Sequence, residues 1–344
     1  MPNQIHTEEP MTKPTTDSLR EPILEVKNLK VNFSTSDGTL YAVDDISYNV
    51  HPGEVLGLVG ESGSGKSVNV LTMAQLLNSN KMTTSGEALY RGQNLLKMSQ
   101  VEIAKLLGPE IGFVFQNPLS SLNPVMKIGL QIAEGPIHHG IITKKEAKDY
   151  VVDLLNKVGI NDPDRRYNDY PHQFSGGMRQ RVMIAIAMAC NPKLLICDEP
   201  TTALDVTVER QILDLLQELK DKHNLAIILI THNLNLAMNY SNRVAVMFGG
   251  KIMEIGSSYH LLSNPMHAYT KGLFGANLEI GKKGKTLDTL RDAGGILEQL
   301  PEGSLVLSAG KENEYFDRDN LLNVEGEPGH FYNTLYNKEA SSEL

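Results

Sequence analysis

The sequence predicts an α/β fold with a mostly parallel sheet, on three observations. Amphipathic segments long enough for helices fall at residues 66–77, 144–158, 177–190, 206–223 and 233–239. Short apolar runs at 111–115, 193–197, 226–230 and 244–247 lie between them and read as strands buried on both faces. A glycine-rich loop follows one further apolar run, 55–59, and leads straight into a helix. Strands that alternate with helices in this way build parallel sheets.

Each element follows in order. Residues 1–22 are polar and rich in Pro, Thr and Glu, which predicts disorder, and they lack the apolar stretch of a signal peptide. Residues 23–33 and 41–50 read as two strands joined by a turn. After the apolar runs, Phe248-Gly249-Gly250-Lys251 reads as the turn of a closing hairpin over 244–255. Beyond residue 278 the pattern weakens into a basic link, 281–285, and an acidic stretch with little periodicity, 311–344. The expected division is therefore a disordered segment 1–22, one large domain 23–278 and an accessory extension 279–344.

Composition narrows the function classes. The 344 residues carry 41 acidic and 32 basic groups, a net charge of −9. That balance argues against a general nucleic-acid binder, which needs a basic stripe to displace counterions. The two cysteines, Cys190 and Cys197, fall in a helix and a strand, which fits a reducing compartment better than a disulfide framework. The longest uninterrupted apolar run, 182–190, has nine residues, against the ~20 a membrane helix needs.

Three motifs carry chemistry. Gly60, Glu61, Ser62, Gly63, Ser64, Gly65, Lys66 and Ser67 match the phosphate-loop pattern at every fixed position. The glycines let backbone N–H groups turn inward around phosphate oxygens, and the following helix adds its positive end. Lys66 supplies a point charge, and Ser67 offers a hydroxyl to Mg²⁺. The second motif is the apolar run ending in Asp198 and Glu199, which reads as a metal-holding carboxylate followed by a general base for the attacking water. In the third, Ser175, Gly176 and Gly177 open a helix and form a second anion site. One nucleotide needs one phosphate cradle, so the second is expected to serve a nucleotide held by a partner.

Taken together, these motifs resemble the ATP-binding cassette (ABC) family over about residues 23–278. Ser175, Gly176, Gly177 and Gln180 look like its signature, with Met178 and Arg179 inserted where the commonest form reads Ser-Gly-Gly-Gln. Gln116 matches the family's Q-loop glutamine, Asp205 its D-loop and His232 its switch histidine. Asn233 stands where family members usually have Asp, and still suits a helix N-cap. The resemblance implies a phosphate-loop cassette with an antiparallel β subdomain, a helical subdomain and a C-terminal extension. Its implied ligands are ATP and Mg²⁺, with Gln116 joining Ser67 and Asp198 near the metal. Adenine stacking is expected on Phe33, with Tyr41 the alternative.

A finer resemblance lies in the stretches 115–124, 170–185 and 198–207, which look like the ATPase subunits of dipeptide and oligopeptide (and nickel) importers. Asn264-Pro265-Met266-His267-Ala268-Tyr269-Thr270 resembles their His-Pro-Tyr-Thr element, with Ala268 in place of Pro. Many relatives hold an iron–sulfur cluster on later cysteines. This chain has none there, so no cluster is expected. The implied partners are a second cassette subunit, hetero- rather than homodimeric, two membrane permeases and an extracytoplasmic peptide-binding protein. Nucleic acid is not among them. The implied place is the cytoplasmic face of the membrane, as a peripheral protein, with peptide as cargo and nickel or another solute as the alternative.

Overall fold

In a computed structural model, residues 21–280 other than 37, 78 and 203 are described, together with 321–325 and 330–335. The expected disordered stretch 1–22 lies outside the described residues except for Glu21 and Pro22, and most of 279–344 also lies outside them.

Among the described residues, twelve strands form two sheets. The first is antiparallel, with β1 (Leu24–Thr35), β2 (Gly38–Val50), β4 (Met82–Tyr90) and β5 (Gln93–Asn94) in the order β2-β1-β4-β5. The second contains β3 (Val55–Val59), β6 (Ile111–Val114), β7 (Leu194–Asp198), β8 (Ala226–Thr231), β9 (Arg243–Phe248) and β10 (Lys251–Ser257). Strands β6-β7-β8-β3-β9 run parallel in that spatial order. β10 then turns back along β9 through the Gly249-Gly250 hairpin.

The parallel strands are apolar throughout because both of their faces are covered. Along β8, Ile227 and Leu229 enter one core cluster while Ala226, Ile228 and Ile230 enter the other; β7 alternates in the same way. The first cluster lies under the helices α4 (Ile128–His138), α5 (Ala147–Lys157), α7 (Gly176–Met188) and α8 (Val206–His223). The second fills the space beneath the antiparallel sheet and α1 (Lys66–Met73). Fully buried leucines such as Leu56 and Leu58 each contribute ~1.5–3 kcal/mol through burial. Three shorter helices are α2 (Gln100–Leu106), which puts Ile103 into the second cluster, α3 (Pro118–Ser121), beside α7, and α6 (Pro163–Arg166), beside α5. A third cluster gathers around α9 (Leu234–Tyr240), α10 (Ser258–Ser263) and the start of α11 (Ala268–Ile280).

The extension contributes two strands that its sequence pattern did not reveal. β11 (Leu321–Glu325) pairs with β12 (Phe331–Leu335), and β12 pairs with β10, so the main sheet runs β11-β12-β10-β9-β3-β8-β7-β6. Beside β12, His330 Nε2 lies 2.6 Å from Oε1 of the fully buried Glu254 on β10.

Candidate active site

Parallel strands place all their carboxyl ends on one edge, where open α/β sheets bind ligands. Here the phosphate loop leaves β3, the two acids end β7, His232 follows β8 and Gln116 follows β6. Residues more than a hundred positions apart meet for that reason.

The phosphate loop is held by close backbone contacts. A Cβ on Gly60 would sit 2.1 Å from the Met247 carbonyl oxygen, and one on Gly65 2.3 Å from that of Ala42. Gly65 is also left-handed, with φ +95°, so only glycine fits there without strain. The Gly250 amide donates to the Ser64 carbonyl at 3.2 Å, tying the β9–β10 hairpin to the loop. Glu61, Ser62 and Gly63 form the exposed crown. Lys66 is buried beneath it, and its ammonium donates to the carbonyls of Gly60 and Glu61 at 2.8 Å and lies 3.3 Å from Ser64 Oγ. Burial pushes the Lys66 pKa down, against the opposing pull of Glu199, Asp198 and Glu61.

Ser67 Oγ donates to Asp198 Oδ1 at 2.8 Å. Burial raises the Asp198 pKa, while the Ser67 hydrogen bond and Lys66 lower it. A hydroxyl and a carboxylate oxygen side by side, both hard donors, suit Mg²⁺, which takes one or two protein oxygens and completes its shell with phosphate and water.

Next along the chain, Glu199 is the focus of the site. Its Oε2 accepts from Gln116 Nε2 at 3.0 Å and from Thr202 Oγ1 at 2.8 Å, and lies 3.3 Å from His232 Nδ1. The Glu199 backbone has φ +46°, a costly conformation for a non-glycine residue, with its amide held by the Ile230 carbonyl at 3.0 Å. Thr202 was missed by sequence reasoning; it stands three residues after Glu199, within reach of a side chain on a turn. Asn233 caps α9 by accepting from the Leu236 amide, as expected from its residue type.

The second anion site lies elsewhere on the molecule. Ser175 caps α7, accepting from the Met178 amide at 3.3 Å, and Ser175 and Gly176 are exposed. A Cβ on Gly177 would meet Val208 at 2.6 Å, so the signature abuts the start of α8, which Asp205 caps by accepting from the Val208 amide at 3.0 Å. Among the described residues, no hydrogen bond joins this cluster to the phosphate loop. Gln180, expected to join them, is buried in α7. It is 1 % exposed, and its Nε2 has no hydrogen-bond partner among the described residues. Gln180 lies about one turn into α7, away from the helix mouth, while the half-buried Met178 stands beside Gly177.

Phe33 is half-buried against the core beneath the antiparallel sheet, whereas Tyr41 is 43 % exposed. Both lie on the strand pair next to the loop, with Phe33 opposite Leu40 and Tyr41 opposite Asn32.

Known proteins resemble this chain over most of its length. Residues 43–202 match the ABC transporter family model, and residues 253–305 match the model described as oligopeptide/dipeptide transporter, C-terminal region. The oligopeptide transport ATP-binding protein OppD of Bacillus subtilis is 48 % identical over 73 % of this chain and 70 % of its own length. OppD of Escherichia coli is 43 % identical over 86 % and 87 %. The dipeptide transport ATP-binding protein DppD of Lactococcus lactis is 46 % identical over 74 % and 73 %. A solved dimeric cassette in a post-hydrolysis state, bound to ADP and Pi, is 26 % identical with a TM-score of 0.61, over 68 % of this chain and 98 % of that one. The chain therefore belongs to the ABC transporter family, as one of its ATP-binding, ATP-hydrolysing cassette subunits.

Proposed function

We propose that this cassette powers the uptake of dipeptides or oligopeptides, alternating between ATP-closed and open dimers. The observation that carries the hydrolytic part is the convergence of Gln116, Thr202 and His232 on one oxygen of Glu199. The loop from Gly60 to Ser67 cradles the phosphates, and Lys66 faces their charge. Glu199 orients water and takes its proton, and His232 and Gln116 report on the phosphate through the same carboxylate. Ser67 and Asp198, with Gln116 nearby, would hold Mg²⁺, which would supply charge neutralisation at the phosphates. Phe33 is proposed as the adenine platform.

Ser175, Gly176 and Gly177, with Asp205 beside them, close over the nucleotide of a second cassette subunit, related but not identical. Two membrane permeases dock near Gln116 and Asn117, where Leu119 is 65 % and Val125 83 % exposed. An extracytoplasmic binding protein delivers the peptide, and this subunit stays at the cytoplasmic face. No helix among the described residues is long and apolar enough to cross a membrane. Matches to oligopeptide and dipeptide transport proteins support peptide as the cargo. The test is peptide uptake by a strain lacking the chromosomal gene, complemented with wild type or Glu199→Gln. Restored uptake by wild type alone is expected. Uptake that does not depend on the gene would refute the reading.

A further inference from the structure

The element Asn264 to Thr270 follows the cassette, and the site described above makes no use of it. Its backbone is fixed to the sheet. Glu254 accepts from the amides of Met266 at 2.8 Å and His267 at 3.0 Å, and His267 Nδ1 accepts from the Tyr269 amide at 3.1 Å. These bonds set the entrance of α11 and direct Tyr269 inward. Its ring packs on Phe248, with centroids 4.7 Å apart, at the end of β9. It belongs to the same apolar cluster as Val59, the residue that immediately precedes Gly60. The Phe248 hairpin in turn donates from Gly250 to Ser64.

Among the described residues, the buried Tyr269 hydroxyl meets no partner at full hydrogen-bond geometry. A buried hydroxyl without a partner is costly, so a native structure that keeps one needs a reason. Glu61, in the crown of the phosphate loop, acts on this hydroxyl: burial and the Glu61 charge push the phenol pKa up, and the Glu61 backbone, as a hydrogen-bonding group, pulls it down.

We propose that Tyr269 is a positioning residue for the phosphate loop, its ring buttressing Val59 and Phe248 and its hydroxyl holding the Glu61 backbone when nucleotide orders the crown. The inference rests on reading Gly60 to Ser67 as the nucleotide cradle. It gives the C-terminal element a role in ATP binding by its own cassette.

The experiment compares full-length wild type with Tyr269→Phe, which keeps the ring and removes only the hydroxyl. Affinity for a fluorescent trinitrophenyl-ATP, KM and kcat for ATP hydrolysis, and the nucleotide-free melting midpoint are measured side by side. The expected result is binding weakened about 3- to 10-fold, the loss of one hydrogen bond. KM rises in parallel and kcat changes little. The nucleotide-free midpoint is unchanged or higher, because an unpartnered hydroxyl has been removed. Unchanged affinity overturns the proposal. So does an affinity loss that comes with a lowered midpoint, since that marks a general structural role. A wild-type chain that binds no trinitrophenyl-ATP overturns the cradle reading itself, and this inference with it.

Discussion

Gln116 Nε2 donates to Glu199 Oε2 at 3.0 Å, joining residues 83 positions apart in the chain. The contact ties the segment after β6, proposed to meet the membrane subunits, to the group proposed to activate water. Movement of Gln116 therefore acts directly on the base.

Glu199→Gln keeps the size and hydrogen-bonding capacity of the side chain but removes its basicity. Hydrolysis is expected to fall about 10²- to 10⁴-fold, the usual contribution of a general base, with ATP affinity nearly unchanged. Phosphate release and nucleotide binding measured on the same preparation check this; a wild-type rate in the mutant means Glu199 is not the base.

Gly176→Asp separates folding from the proposed partner contact. A Cβ there meets only Leu204, at 3.5 Å, and the position lies in the first turn of α7, where a carboxylate favours the helix. The melting midpoint should hold or rise slightly. The added negative charge should abolish ATP-driven dimerisation, read by light scattering. Dimerisation at wild-type ATP concentrations would rule out Gly176 as part of the cradle for a partner's phosphate.

Gly65→Ala forces a Cβ to 2.3 Å from the Ala42 carbonyl at a residue with φ +95°. A destabilisation of about 2–4 kcal/mol is expected, from strain and overpacking together, along with loss of nucleotide binding. Denaturant unfolding provides the measurement.

Ser67→Ala removes the hydroxyl that donates to Asp198. Hydrolysis should then require a higher Mg²⁺ concentration for half-maximal rate, and chelation should abolish it in both proteins. An unchanged Mg²⁺ dependence would exclude Ser67 from the metal site.

His267 supplies the pH prediction. Burial pushes its pKa down to about 4, with Lys271 acting in the same direction and Glu254 opposing. The unfolded chain takes up this proton near pH 6.5 and the folded chain only near 4. Stability from this group is therefore complete above pH 6.5 and declines as the pH falls towards 4. The loss is at most about 3 kcal/mol, and less with partial solvent exposure. His267→Asn keeps an acceptor for the Tyr269 amide without titrating, so its melting midpoint should vary less between pH 6.5 and 4.

Periodic elements were legible in the sequence because both faces of each parallel strand are buried and each long helix has one apolar side. The bounds of α8 read from sequence coincide with Val206–His223. The phosphate loop was legible because its fixed residues form one contiguous pattern, in which close backbone contacts hold positions 60 and 65 to glycine. The burial of Gln180 was not legible because motif spacing does not show which way a helical side chain turns. Thr202 was not singled out because a threonine in a turn carries no pattern of its own. β11 and β12 escaped notice because they are short, and only their pairing with β10, far off in sequence, makes them strands.

The pairing of β12 with β10 has a further consequence. Without it, β10 would lose its pairing at Glu254 and Ile255 and offer a longer open edge, a template for another chain to pair with. A chain cut after Ile280 would keep every residue of the proposed nucleotide site and lose the strand that covers β10. Such a truncation is expected to bind ATP and to self-associate, which makes the last stretch of the protein a guard on its solubility.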